Sequence, residues 1–111
     1  DSNVYTGVSY LQYLNKYFTS YVPDSTERIK FILASYNAGP GHVLDAIRLT
    51  EKYGKDPQTW NNNVDYYLLH KNEPLYYQDP LAKNGYCNGP QAYHYVERIL
   101  EIYNNYKNIK Q

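Results

Sequence analysis

From Val4 onward apolar residues recur at spacings of three and four. Val4, Val8, Leu11, Leu14, Phe18 and Tyr21 form the stripe of an amphipathic helix over about residues 3–21, which must stop before Pro23. Asp24 stands three residues ahead of Glu27, a capping-box-like start, and Ile29, Ile32, Leu33 and Tyr36 follow at helical spacing. Phe31 and Ala34 add apolar surface on other sides, so this second helix is expected at the centre of the fold. The run Asn37-Ala38-Gly39-Pro40-Gly41 ends it, because Gly allows a left-handed stop and Pro40 can open the next helix at its first position.

A third helix is expected from about Pro40 to Tyr53, with Val43, Ala46, Ile47 and Thr50 on one face and Gly54 as its stop. Asp56 and Pro57 read as the cap and first turn of a short helix around Gln58 to Asn61, and Val64, Tyr67 and Leu68 predict another turn or two. Between Glu73 and Pro90 three prolines and two glycines interrupt a Tyr-rich stretch, which predicts an ordered loop. Ala92, Val96, Ile99, Leu100 and Tyr103 define a last helix from about Pro90 to Tyr106, followed by a Lys- and Asn-rich tail expected to fray. No strand-like alternation, internal repeat or heptad array competes with this pattern. The fold class is therefore all-α, with about five helices in one small domain.

Composition narrows the function classes. Eleven basic residues balance eleven acidic ones in 111, so no net field favours nucleic acid or an anionic membrane surface. No stretch approaches the roughly 18 apolar residues that span a bilayer, and the first residues lack the basic and apolar regions of a signal peptide. The single Cys87 cannot form an intramolecular disulfide and reads as a small packing residue. Together with His42, His70 and His94 it shows no ligand spacing, so neither a metal site nor any other cofactor is expected. The chain holds 16 Tyr against two Phe and one Trp. Each Tyr carries an apolar face and a hydroxyl, so such rings can build a core or a sugar site, and most are expected in packing.

The strongest local signal is the run from Ala34 to Val43, ASYNAGPGHV, where a central helix ends and another begins. Such a corner can present backbone amides, the Asn37 amide and the Tyr36 hydroxyl together, with Gly39 letting a ligand approach the main chain. An Asn side chain donates and accepts at once, which suits an acetamido group, and a Tyr ring can pack on a pyranose face. A purely structural helix stop explains the same residues, and at this level both readings stand.

The run ASYNAGPGHVLDA resembles the Tyr-Asn-Ala-Gly motif of the soluble lytic transglycosylase family. Upstream, NVYTGVSYLQYL (3–14) is similar to the family's helix with a Gly-Val-x-Tyr-Leu core, and Glu27-Arg28 falls where the family often carries that pair. Downstream, Ala92-Tyr93-His94-Tyr95-Val96 is similar to the family's last motif. His42 after the glycines, Leu44-Asp45-Ala46 and the Tyr-rich loop ending in Gly-Tyr look most like the branch of membrane-bound lytic murein transglycosylase F.

The resemblance implies a lysozyme-like fold of glycoside hydrolase family 23. Its members cleave the β-1,4 bond between N-acetylmuramic acid and N-acetylglucosamine in peptidoglycan and leave 1,6-anhydro ends. One Glu is general acid to the glycosidic oxygen and then base toward the C6 hydroxyl. On that reading Tyr36 and Asn37 line the glycan cleft, Gly39 permits the close corner, and Tyr95 supports the catalytic carboxylate by a hydrogen bond. His42 is expected to pack in the first turn of its helix.

The family's Glu lies in a Glu-Ser motif, followed by Gly-x-Met-Gln, before the helix with which this chain begins, and neither motif occurs in this sequence. None of Glu27, Glu51, Glu73, Glu97 and Glu101 matches the catalytic position. The expectation is thus a partial domain over residues 1–111 that lacks its catalytic-Glu segment. It would be inactive alone and prone to self-association through the face its missing helices would cover. Peptidoglycan glycan strands are the expected partner, and nucleic acid is not. The expected place is the bacterial cell envelope, periplasm or outer membrane, with any membrane association supplied by parts outside this chain. Two other readings remain open on sequence: a non-catalytic peptidoglycan-binding or envelope-scaffolding module, and a helical interaction domain of accidental similarity.

Overall fold

A computed structural model describes residues 2–110, and side chains for 7–109. It consists of α1 (Ser2–Phe18), α2 (Ser25–Ala38), α3 (Pro40–Lys52), a wide turn (Trp60–Val64), α4 (Asp65–Leu69), the single turn α5 (Pro74–Tyr77) and α6 (Gly89–Lys110). The side chain of Val4, first of the predicted stripe, lies outside the described set. α2 is the central element, packed against α1, α3, α6 and the wide turn.

Local chemistry sets the boundaries. The Asp24 carboxylate accepts from the amides of Thr26 and Glu27 at 2.8 and 3.1 Å, the capping predicted for α2. Arg28 then gathers the approach to that cap, donating to the carbonyls of Val22 and Pro23 at 2.9 Å each and to Asn15 of α1 at 2.8 Å. This pull ends α1 at Phe18 rather than Tyr21. Thr19 returns its hydroxyl to the Asn15 carbonyl at 2.7 Å, and residues 19–21 form a turn.

The short helix predicted around Gln58 to Asn61 is absent. Asp56 instead caps a turn through the Gln58 amide at 2.9 Å and the Thr59 hydroxyl at 2.7 Å. Asn61 is then extended (ψ 129°) and Asn62 left-handed (φ 63°). The reason is tertiary. Trp60 is drawn into the core against Phe31, with ring centroids 5.1 Å apart, and its amide donates to Glu27 on α2 at 2.8 Å. Those contacts outweigh helix propensity in a five-residue window.

The predicted ordered loop is interrupted by α5. At the other end, the tail expected to fray after Tyr106 continues α6 to Lys110. Lys107 lies over the Tyr103 ring one turn back, at 5.5 Å, an i,i+4 cation–π pair that favours continuation.

The core is apolar and closely interlocked: Leu14, Phe18, Phe31, Leu49, Leu68 and Val96 are wholly buried. Burial of each such side chain stabilises by about 1.5–3 kcal/mol. α2 is not buried all round, however. Phe31, Ile32, Ala34 and Ser35 face the core, whereas Ile29 is 50 % exposed and Tyr36 46 %. At the start of α6, Gly89 lies so close to α4 that an added Cβ would stand 2.1 Å from the Leu69 carbonyl oxygen and 2.2 Å from that of Leu68. Only glycine admits this approach, which fixes the direction of α6 and with it the position of Tyr95.

Candidate glycan-binding site

The corner between α2 and α3 is open. Gly39 has φ 102° and ψ 143°, a conformation that L side chains rarely adopt, and nothing lies within 4 Å of where its Cβ would be. Its own amide is not free for a ligand, because it donates to the Ser35 carbonyl at 2.8 Å and closes α2. Donors at the corner come instead from α3. That helix begins on Pro40 with no side-chain cap, so the amides of Gly41 and His42 in its first turn have no intrahelical acceptor. Asn37 is exposed, and its side chain makes no hydrogen bond to any described residue.

Tyr36 stands beside Asn37 and leans toward α1. Its ring is 5.9 Å from that of Tyr10, tilted at 48°, and an added Cβ at Gly7 would lie 3.8 Å from its hydroxyl. Tyr95, on the first turns of α6, is half-buried and packs against the core. Burial, aided by the nearby Tyr36 hydroxyl, pushes the Tyr95 phenol above its ordinary value. A tyrosine keeps its proton at neutral pH even at its ordinary value, so Tyr95 can donate a hydrogen bond. Tyr36, Asn37 and Gly39 lie together at the corner, and Tyr95 electrostatically adjoins Tyr36. Sequence reasoning did not assign Tyr10 to this group. Its signal was the spacing Gly7-x-x-Tyr10, which puts a small residue and a ring on one helical face, opposite the end of α2.

Sequence reasoning also missed the polar cluster that holds this corner from behind. Asp45 on α3 and Lys71 just after α4 are wholly buried and paired at 2.8 Å. Asp45 accepts further bonds from Arg48 at 2.9 Å, from the amides of Lys83 and Asn84 at 3.1 and 2.9 Å, and from the Asn84 side chain at 3.1 Å. Lys71 also donates to the Gly85 carbonyl and, at 2.7 Å, to Nδ1 of His42. His42 is thus more than a packing residue: the ammonium makes Nδ1 an acceptor, which leaves its proton on Nε2. Burial first, and Lys71 second, hold the imidazole below its ordinary value, with Asp45 opposing them. The cluster ties the loop after α5 to the start of α3. A buried pair is tolerable here because its remaining donors and acceptors are satisfied.

No described glutamate is placed at the corner by its contacts. Glu27 pairs with Lys30 at 2.9 Å and accepts from Trp60, and Glu73 contacts His70. Glu97 accepts from Tyr93, and its charge helps raise Asp65, whose carboxyl burial pushes above its ordinary range. Tyr93 and Asp65, with Tyr66 and Tyr76, line a cavity of about 480 Å³. Since Tyr93 and Tyr95 are two residues apart on α6, they project from opposite sides of it, and that cavity is separate from the corner. Cys87 is buried, as a packing residue would be, and burial raises its thiol.

The family model of the transglycosylase SLT domain matches residues 1–59, which include α1, α2, the corner and α3. Across α6 as well, the chain is similar to proteins named membrane-bound lytic murein transglycosylase F. It is 38 % identical to that of Desulfosudis oleivorans over 110 residues, covering 99 % of this chain and 23 % of the relative. To that of Pasteurella multocida it is 40 % identical over 113 residues, covering 95 % and 20 %. To that of Yersinia pestis it is 40 % identical over 99 residues, covering 89 % and 20 %. The chain thus spans 20–23 % of the length of these relatives. With the Tyr36-Asn37-Ala38-Gly39 corner inside the matched span and the all-helical architecture around it, the chain belongs to the transglycosylase SLT domain family.

Proposed function

We propose that this chain is part of a peptidoglycan lytic transglycosylase domain, one that cleaves the bond between N-acetylmuramic acid and N-acetylglucosamine with a 1,6-anhydro product in the intact protein. The observation that carries this reading is the open corner: an Asn37 amide without a hydrogen-bond partner among the described residues and an exposed Tyr36 ring flank a glycine with free space above it. Asn37 would take the acetamido group of a sugar, donating to its carbonyl and accepting from its N–H, while Tyr36 packs against the ring. Tyr95 would donate its retained proton to the carboxylate that acts as acid and base, orienting it and holding its charge.

That carboxylate is assigned to a glutamate N-terminal to Asp1 in the intact protein, so residues 1–111 make up a partial domain. That the chain spans 20–23 % of the length of its relatives supports the assignment. The site of action would be the bacterial cell envelope, at the periplasmic face where peptidoglycan lies. No helix among the described residues is long and apolar enough to cross a membrane. Any outer-membrane attachment is assigned, as part of this proposal, to other parts of the protein.

The test is a comparison of the intact protein with its Tyr36→Ala/Asn37→Ala variant on purified peptidoglycan. Soluble fragments should be released by the unsubstituted protein, and at least about tenfold more slowly by the variant at low substrate, the loss of one or two ligand hydrogen bonds. Equal release by both would remove the corner from the site.

A further inference from the structure

Along one flank of α1 and into the turn that follows it, Tyr10, Tyr13, Tyr17 and Tyr21 stand three and four positions apart. Consecutive rings contact one another, with centroids 6.1, 5.8 and 6.2 Å apart, the first and last pairs stacked. At its upper end the series meets Tyr36 of the corner, 5.9 Å from Tyr10. Five rings therefore run without a break away from the corner, over about 10 Å of helix from Tyr10 to Tyr17 and on into the turn that carries Tyr21. At the lower end Tyr21 opens onto a cavity of about 390 Å³ whose polar groups include Arg48, Glu51 and Gln58.

This flank is not a core stripe. Leu14 and Phe18 of the same helix supply the core and are wholly buried, while Tyr10, Tyr13 and Tyr21 are 37, 53 and 43 % exposed. Tyr17 between them is half-buried against the core, but three exposed rings in line are an unfavourable use of surface unless something covers them. Its chemistry narrows the occupant. The rings are uncharged, and the far cavity offers one cation and one anion, which gives a polyanion no attraction. Apolar faces edged by hydroxyls match a pyranose, whose C–H face packs on a ring while its hydroxyls reach polar groups at the margin.

We infer that the tyrosine series is an extended track for the glycan strand: a strand held at Tyr36 and Asn37 continues along α1 over Tyr10, Tyr13 and Tyr17 to the cavity at Tyr21. This rests on the proposed glycan-cleaving function and adds a length dependence to it. Short oligosaccharides end at the corner, whereas long strands gain the rings beyond it.

The test uses the intact protein with Tyr13→Ala/Tyr21→Ala and purified glycan strands of graded length. Tyr13 and Tyr21 are exposed, so the melting temperature should stay within a degree or two. For long strands KM should rise about tenfold with kcat unchanged, for short oligosaccharides neither should move, and Tyr13→Phe/Tyr21→Phe should restore most of the loss. Unchanged KM on long strands, or an equal change at every length, would overturn the track while leaving the corner intact. Failure of the unsubstituted protein to cleave glycan of any length would instead contradict the function on which it rests.

Discussion

Asn37 and Tyr95 are both polar groups near one corner, yet their expected roles leave different kinetic signatures. Asn37 holds substrate before and during reaction, so Asn37→Ala should raise KM with a smaller effect on kcat. Tyr95 would act through the acid, so Tyr95→Phe should lower kcat by about tenfold to a hundredfold with KM little changed, as loss of an orienting partner does elsewhere. A Tyr95→Phe protein with unaltered kcat would leave the residue a packing role only. His42 makes a separate prediction, in stability. Its folded-state value lies below the ordinary 6.5. Below that pH the unfolded chain binds a proton that the folded chain refuses. The contribution is complete above 6.5 and is lost as the pH falls toward the folded value. The melting temperature should drop between pH 7 and 5, and His42→Gln should flatten that slope. Parallel slopes in calorimetry would refute the assignment.

Among the elements, α2 and its two ends were legible from sequence, because Asp24, the apolar spacing and the Gly39-Pro40 stop all act within a few residues of each other. The Tyr36-Asn37-Gly39 group was legible for the same reason. What escaped were features decided at long range. Trp60 breaks its local helix only because Phe31 and Glu27, about thirty residues away, hold its ring and its amide. Asp45 hinted at burial by standing between apolar residues of α3, but nothing local marks Lys71 as its partner. That pair is expected to hold the loop after α5 in place. Lys71→Met leaves the Asp45 charge buried without its counter-ion, and urea unfolding should show a loss of about 3–5 kcal/mol. The double variant Asp45→Leu/Lys71→Met should recover part of it. A Lys71→Met loss under 1 kcal/mol would mean that solvent reaches the pair.

For the molecule as a whole, the exposed apolar residues Val8, Leu11 and Ile29 on α1 and α2 are the counterpart of the partial-domain proposal. Expressed alone, residues 1–111 should associate as concentration rises, and sedimentation velocity would show it; a monodisperse monomer at high concentration would count against a missing cover. The central claim concerns chemistry at the corner, and it is reached most directly by mass analysis of the products that the intact protein releases from purified peptidoglycan. An acid and base glutamate beside Tyr95, with the sugar's own C6 hydroxyl as nucleophile, predicts fragments ending in 1,6-anhydromuramic acid, one water lighter than hydrolysed ends. Fragments carrying only hydrolysed reducing ends, or no fragments at all, would contradict the account.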